Sequence, residues 1–300
     1  MTKQALILGG VSWDTMLYVD AFPQPAPQTL FTRAYHDTVG STGSGKALNM
    51  RRLDFDLTLY GMLGEDYYGE RIAEYFARGG IPFVYDITSQ GTERHVNLMD
   101  DAGKRISIIS RSGGSPDKVD LVRADAMIQQ SGYIVLNIVD YCRPIIPVIK
   151  RHNKAIWTDL HDYDGTNPYH QDFIDAADYI FLSSDSLPDY RRFMERLIAG
   201  GKQLVVCTHG SAGSTALTAL GEWIETPAIT AYTRVDTNGA GDAFFSGFLY
   251  GHSKGYSTMV CLQMATIAAG LSVTSYELAS PELSPVRLQA EYREHYGPLT

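Results

Sequence analysis

The residues most able to do chemistry lie in one segment, where residues 236–242 read Asp-Thr-Asn-Gly-Ala-Gly-Asp. Gly239, Ala240 and Gly241 are small enough for their backbone amides to approach an anion closely, and an apolar helical pattern follows them. Amides at a helix N-terminus suit the charge on a phosphoryl group in transfer. Asp242 is a carboxylate that could accept the proton of an attacking hydroxyl. A glycine turn with an ordinary aspartate cap has the same Gly-x-Gly-Asp pattern, so these four residues alone do not decide between the two readings.

The longer string at 236–248, DTNGAGDAFFSGF, resembles the second signature of the ribokinase-like (pfkB) family of carbohydrate kinases, D-T-x-G-A-G-D-x-F. Every fixed position of that signature is present. The resemblance implies an ATP-dependent phosphotransferase with Asp242 as the catalytic base. It also implies that the backbone amides of 239–241 form an anion hole for the transferred phosphate.

The resemblance further implies an acceptor site near the N-terminus. Asp14 follows the first apolar run, and a carboxylate there would hold sugar hydroxyls and reject analogues that lack them. Residues 44–49, Ser-Gly-Lys-Ala-Leu-Asn, resemble the first signature of the family, G-G-x-x-x-N leading into a helix. Gly45 would then face the sugar and Asn49 would contact it, while Ser44 replaces the first glycine. For Asp14 the alternative is a plain loop or cap residue.

The nucleotide site is expected at Thr208, Gly210 and Gly213, which resemble the family motif T-x-G-x-x-G at the end of a strand. A hydroxyl and two glycines suit contacts with phosphate oxygens. A loop that simply turns into the next hairpin is the competing interpretation. His209 is expected to be a bystander.

The metal motif departs from the family. After the strand at 179–182 the family has N-x-x-E, which helps to hold Mg²⁺ and its water shell, but this chain has Ser184 and Leu187 at those positions. Either Asp185 supplies the missing carboxylate, or Mg²⁺ relies on the nucleotide phosphates and water. The resemblance also allows a monovalent cation such as K⁺ near Asp236.

A second group of titratable residues, Asp159, His161, Asp162 and Asp164, could be mistaken for a metal cluster. Because they follow the end of a predicted strand, we expect a solvated loop close to the nucleotide phosphates.

The elements that must position these residues alternate between short apolar runs and amphipathic patterns. Strands nearly free of charge, alternating with helices, predict an α/β fold: a mostly parallel central sheet with helices on both faces and ligands at the strand ends. The predicted strands are 4–8, 57–62, 133–138, 155–160, 179–182 and 203–208. The predicted helices are 68–78, 119–129 and 188–199.

Two stretches, 14–39 and 94–110, do not fit that rhythm. We expect them to form a small β lid inserted in a single domain that spans 1–300. The second stretch predicts a hairpin with its turn at 100–103. Another hairpin is expected at 214–225.

Composition narrows the class of protein. The 300 residues carry a net charge of −9 and no basic run, which argues against a nucleic-acid partner. Cys142, Cys207 and Cys261 are far apart and predict buried reduced thiols. No apolar run approaches the roughly 18 residues of a membrane span, so the chain is expected to be cytoplasmic, without a membrane partner.

We therefore expect a kinase that transfers the γ-phosphoryl group of MgATP to a hydroxymethyl group of a sugar or sugar-like substrate. A homodimer through the lid is a further expectation. One alternative is a nucleoside kinase, in which Phe31 and Tyr35 of the lid, with Trp13, would stack on a base. The other is a catalytically weak sugar- or nucleotide-binding regulatory protein, suggested by the altered metal motif.

Overall fold

The computed structural model describes residues 4–101, 103–114 and 118–299. These residues form thirteen strands and nine α-helices, with three short 3₁₀ turns. The strands are β1 (Ala5–Leu8), β2 (Ser12–Tyr18), β3 (Ala34–Gly40), β4 (Leu57–Gly64), β5 (Phe83–Thr88), β6 (Arg94–Met99), β7 (Arg105–Arg111), β8 (Tyr133–Asn137), β9 (Ile156–Asp159), β10 (Tyr179–Ser183), β11 (Leu204–Thr208), β12 (Ser214–Thr218) and β13 (Trp223–Thr226). The helices are α1 (Ser41–Arg52), α2 (Tyr67–Arg78), α3 (Leu121–Gln130), α4 (Ile146–Arg151), α5 (Gln171–Ala176), α6 (Tyr190–Ala199), α7 (Ala240–Ser253), α8 (Thr258–Ser272) and α9 (Pro285–Tyr296).

Nine strands form the main sheet in the order β13-β12-β11-β10-β9-β8-β1-β4-β5. Every neighbouring pair from β11 to β5 is parallel, whereas β12 and β13 add an antiparallel hairpin at one edge. One apolar core contains side chains of α1, α2, α7, α8 and α9, and the other contains side chains of α3 to α6. The predicted α/β fold with helices on both faces is confirmed.

The helix α2 illustrates how local sequence produces these elements. Asp66 caps it by accepting a hydrogen bond from the amide of Gly69 at 3.0 Å. Ile72 and Phe76 lie on one face at helical spacing, are fully buried and pack into the core beside the sheet. The helix ends at Arg78, as predicted, and Gly79 follows as its C-cap.

The remaining four strands form a separate sheet in the order β3-β2-β6-β7. β2 pairs with β3 antiparallel and with β6 parallel, and β7 closes the predicted hairpin with β6. This sheet is the small β lid of the predicted fold class. Of its predicted turn, Ala102 lies outside the described residues.

The register of the lid sheet separates two faces, because side chains alternate along a strand. Asp14 lies opposite His95 of β6, and Met16 opposite Asn97, which defines what we call the inner face. The intervening residues define the outer face. The outer face presents Thr15, Leu17, Tyr35, Val96, Leu98, Ile106 and Ile108.

Three local features differ from or add to the sequence-based expectations. The strand β5 was not predicted, because its residues are only half buried at the edge of the sheet. The helix α1 begins at Ser41, so that 44–49 lies inside it rather than before it. This early start brings Gly43 so close to Gly9 that a Cβ on Gly43 would lie 2.8 Å from the Gly9 Cα.

Two predictions about composition also have outcomes in the described residues. All three cysteines are buried and free, as predicted. Within the described ranges, none of the helices combines the length and apolar character needed to cross a membrane.

Candidate active site

The site lies at the carboxyl ends of the parallel strands, where the end of β9 and helix α1 meet the N-terminus of α7. Gly239 is the residue before this helix and has a φ of 79°, in the left-handed region that favours glycine. A Cβ there would also lie 2.7 Å from the carbonyl oxygen of Leu278. The turn thus requires glycine for both conformation and space.

Gly241 requires a different explanation. Its φ is not left-handed, and among the described residues no atom outside its chain neighbours and the backbone of its own helix turn lies within 4 Å of the position that a Cβ would occupy. Among the described residues, no acceptor is found for the amide of Gly241 or of Asp242, as is normal in the first turn of a helix. Glycine therefore keeps open the space beside two free amides, which are the donors that a phosphate group binds at a helix N-terminus.

Asp242, the predicted base, is 7% exposed and pairs with a residue that sequence reasoning left unassigned. Its Oδ1 accepts a hydrogen bond of 2.7 Å from Nζ of Lys46, which is fully buried. Lys46 Nζ also lies 3.2 Å from Oδ2 of Asp159. The interpretation of Asp159 as part of a solvated loop is wrong, because its carboxylate is buried with a lysine partner.

The electrostatics of these three groups follow from burial and mutual charge. Burial raises the pKa of Asp242, and the attraction of Lys46 opposes that shift only in part. Burial also favours a higher pKa for Asp159, but the attraction of His161 and Lys46 outweighs this effect and lowers the pKa of Asp159 to about 2. The pKa of Lys46 is raised, because the two carboxylates overcome the effect of burial. A raised carboxyl pKa suits a group that must take up a proton.

Gly45 lies directly against the predicted base. A Cβ on Gly45 would overlap Oδ2 of Asp242, the carboxylate oxygen that Lys46 does not hold. The nearby Asn49 is fully buried, and its amide nitrogen donates to the carbonyl oxygens of Gly45 at 2.8 Å and Leu278 at 3.2 Å. Its Oδ1 finds no hydrogen-bond partner in the described part of the chain, so this atom is left for a ligand.

Asp14 lies on the inner face of the lid and is held on several sides. Its Oδ1 accepts a 2.5 Å hydrogen bond from Ser12, and its Oδ2 accepts one of 2.9 Å from Asn97. His95 places Nδ1 3.6 Å from Asp14 Oδ1 and Nε2 3.0 Å from a Glu93 oxygen. Burial opposes charge on His95, but its bonds to Asp14 and Glu93 prevail and raise its pKa to about 9. The aspartate is thus fixed by a polar network rather than free in a loop.

Thr208, Gly210 and Gly213 surround the turn after β11, two strands from Asp159. Gly210 and Gly213 have φ values of 54° and 107°, and a Cβ on Gly213 would overlap the carbonyl oxygen of Thr226. His209 anchors the turn, since its ring nitrogens lie 2.9 Å from the hydroxyl oxygens of Ser184 and Thr215.

The residues available for Mg²⁺ are few. Asp185 is an exposed carboxylate in the turn after β10, whereas Leu187, at the position of the family glutamate, is 7% exposed and packs in the apolar core. In the part of the chain that the structure describes, no group of three or more His, Cys, Asp or Glu side chains could hold a metal ion. These residues fit Mg²⁺ held mainly by nucleotide phosphates and water, with Asp185 as the candidate protein group.

For K⁺, the carboxylate of Asp236 is the relevant candidate. Its Oδ2 accepts a 2.6 Å hydrogen bond from Tyr18 and its Oδ1 accepts one of 2.7 Å from the amide of Asn238. The side chain is therefore engaged in holding the lid and the signature turn.

Strand register does not place any of the three aromatic residues considered for base stacking on the inner face of the lid. Tyr35 lies opposite Leu17 on the outer face of the lid and is 72% exposed. The register also places Trp13 on the outer face, but its side chain is only 8% exposed and lies beneath the guanidinium of Arg71. Phe31 precedes β3 and is 88% exposed.

Sequence reasoning missed Lys46, His95 and Asn97. Lys46 falls at a variable position of the first signature, and no pattern marks a lysine that will be fully buried. His95 and Asn97 lie two positions apart on one predicted strand, so their side chains point to the same face. This spacing could have indicated a polar inner face. That signal points to Asp14 only once the pairing of β6 with β2 is known.

Comparison with known proteins identifies the family and the fold. The family model described as pfkB family carbohydrate kinase matches residues 7–284. The acarbose 7(IV)-phosphotransferase of Actinoplanes sp. is 32% identical over 273 residues, covering 90% of this chain and 91% of that protein. The ribokinase of Lactococcus lactis is 26% identical, covering 98% and 99%. The solved structure of the microbiome-derived acarbose kinase Mak1 is 26% identical, has a TM-score of 0.86 and covers 97% of this chain and 99% of that one.

Proposed function

Since this chain belongs to the pfkB family of carbohydrate kinases and is an ATP-dependent sugar kinase, we propose that Asp242 is its catalytic base and acts through Oδ2. The observation that carries the assignment is the buried carboxylate at the start of α7, held at Oδ1 by Lys46 and facing Gly45 with Oδ2. Asp242 is also one of the two residues whose amides are free at the start of this helix.

The proposed reaction is transfer of the γ-phosphoryl group of ATP to a hydroxymethyl group. The acceptor oxygen forms a bond to the γ-phosphorus, its proton passes to Oδ2 of Asp242, and the bond to the bridging oxygen of ADP breaks. The amides of Gly241 and Asp242, with the helix N-terminus, stabilise the charge on the phosphoryl oxygens. Of the expected set 239–241, the amide of Ala240 instead donates to the carbonyl oxygen of Thr237 at 3.3 Å. Mg²⁺, when bound with ATP, neutralises phosphate charge, and Asp185 is its proposed protein contact. Thr208, Gly210 and Gly213 are proposed to hold the nucleotide.

For the acceptor, we propose a sugar or sugar-like molecule held by Asp14, Gly45 and Asn49 and covered by the inner face of the lid. The polar network of Asp14, His95 and Asn97 supports this choice, since hydroxyl groups need polar partners. A nucleoside is less favoured, because Tyr35 lies on the outer face. Acarbose, named for two of the similar proteins, is the first acceptor to test.

The proposal extends to assembly and location. The outer face of the lid carries exposed apolar side chains such as Ile106 and Ile108 beside the polar pair of Thr15 and Asp37, and β7 is an exposed edge strand, which favours a homodimer that pairs two lids. A need for ATP and three reduced thiols favour the cytoplasm. A K⁺ near Asp236 remains part of the proposal as a requirement to be tested by replacing K⁺ with Na⁺ in the assay.

The decisive experiment is a phosphorylation assay with MgATP on a panel of acarbose, ribose, other free sugars, adenosine and inosine. We expect a free sugar or acarbose to gain one phosphate, and we expect Asp242→Asn to lower the rate about 10²–10⁴-fold. Asp189→Asn, at an exposed position whose side chain caps no amide, is the matched control. Turnover of nucleosides alone would overturn the acceptor class, and a wild-type rate in Asp242→Asn would overturn the base.

A further inference from the structure

We propose that Lys46, locked in place by Asp159, is a positioning residue that orients Asp242 and sets the pH range in which it can act as a base. The inference rests on the proposed role of Asp242.

The first observation is the burial of Lys46. Its side chain is 0% exposed, and a charged lysine is almost never fully buried unless it is paired. Here the ammonium group has two carboxylate partners, Asp242 at 2.7 Å and Asp159 at 3.2 Å. The ring of Phe245 lies 5.1 Å from Nζ and covers another side of it. The lysine is therefore a built part of the site rather than a solvated side chain that happens to point inward.

The second observation is that Asp159 is itself fixed. Its Oδ1 accepts a 3.0 Å hydrogen bond from the amide of His161, and its Oδ2 lies 3.5 Å from His161 Nδ1. His161 has a φ of 55°, a left-handed conformation that a non-glycine residue seldom adopts. This strained turn directs the amide of His161 back to Asp159, which in turn holds Lys46.

The third observation is which oxygen of Asp242 remains open. Lys46 holds Oδ1, so that Oδ2 points to Gly45, where the absence of a side chain leaves room. A neutral residue in place of Lys46 would free the carboxyl group to rotate and would leave it buried beside Asp159 without a cation.

The charges around Asp242 explain why the lysine has two partners. The charged or titratable groups facing Asp242 are Lys46 from α1 and Asp159 and His161 from the end of β9. Lys46 favours the ionised base, whereas Asp159 disfavours it and so prevents the base from becoming too weak. When Asp242 accepts the acceptor proton, Lys46 and Asp159 remain as a balanced pair.

The two partners therefore have opposite expected effects on the acid limb of the pH profile of kcat/KM. Lys46→Met should move that limb up by about 1–3 pH units, because the base loses its nearby positive charge. Asp159→Asn should move it down, because a neighbouring negative charge is removed while Lys46 stays. Lys254→Met, an exposed lysine just after the other end of α7, is the control and should leave the limb unchanged.

If Lys46 and Asp159 had only a structural role, their variants would lower the rate equally at every pH. An acid limb that stays in place in both Lys46→Met and Asp159→Asn would therefore overturn the inference. If Lys46→Met does not fold, as judged by its thermal unfolding, Asp159→Asn decides alone. If Asp242→Asn is inactive while the limbs stay fixed, only the inference fails. If Asp242→Asn retains turnover, the proposed base and this inference fail together.

Discussion

The hydroxyl of Thr237 donates a hydrogen bond of 2.6 Å to the carbonyl oxygen of Gly103, so that the tip of the β6–β7 hairpin contacts the turn before α7. A second bond of 2.6 Å joins Arg105 Nη1 to Asn238 Oδ1. The lid is thus in contact with the segment that carries the proposed base. A lid that closes on this turn excludes water from the transferred phosphate.

Breaking the contact from the lid side should favour its opening. We expect Arg105→Met to raise the acceptor KM up to about 10-fold, the range for loss of one hydrogen bond, and to raise ATP hydrolysis relative to sugar phosphorylation. Lys104→Met, in the same turn, is the control. Both products are measured in one assay, as phosphorylated sugar and free phosphate. An unchanged ratio of the two products would contradict a closing role for this contact.

Gly241→Ala should separate stability from activity. Alanine is the better helix former by about 0.5–1 kcal/mol, and the new methyl group would meet no described side chain or other segment within 4 Å, so the melting temperature should stay or rise. The methyl group would intrude on the proposed phosphate site, and we expect kcat to fall about 10²–10³-fold, as for loss of an anion-hole donor. Gly79→Ala, also outside the left-handed region and with no contact under 3.5 Å, is the control. Full activity in Gly241→Ala would place the phosphate elsewhere.

The pH dependence of acceptor binding should report on His95. Its folded pKa of about 9 exceeds the ordinary value of 6.5, so the stabilising pair with Asp14 is complete below about 6.5 and is lost as the pH rises through about 9. We expect the acceptor KM to rise between pH 8 and about 10, while the KM for ATP stays level. In His95→Asn the acceptor KM should be raised already at pH 7 and should lose this dependence. A persistent rise in that variant would assign the titration to another group.

The outer face of the lid predicts self-association. Ile106 and Ile108 are 40% and 49% exposed on that face, and we expect the double change Ile106→Glu and Ile108→Glu to shift a dimer to monomer in sedimentation experiments. Ile109→Glu, on the same strand but on the inner face, is the control, and its sedimentation should match that of the wild-type dimer. A wild-type chain that sediments as a monomer at micromolar concentration would refute the dimer.

What the sequence determined by itself is local or patterned. The alternation of uncharged strands with amphipathic helices was sufficient for the parallel sheet, and the contiguous string 236–248 was sufficient for the helix N-terminus and for the family. The turns at Gly239 and Gly213 could also be predicted from the sequence, because the left-handed backbone conformation they need is favoured by glycine itself.

Only the tertiary structure decided which charges meet. In the sequence, Lys46 lies 113 residues from Asp159 and 196 residues from Asp242. No spacing rule connects residues that are so far apart. Asp159, assigned to a solvated loop from its neighbours in sequence, is buried because the end of β9 faces α1 and α7. Which face of the lid Tyr35 occupies was likewise undecided until the β2–β3 register was known, since a shift of one residue reverses every side chain. Long-range pairing and strand register arise from packing of the whole chain, and a single sequence does not display them.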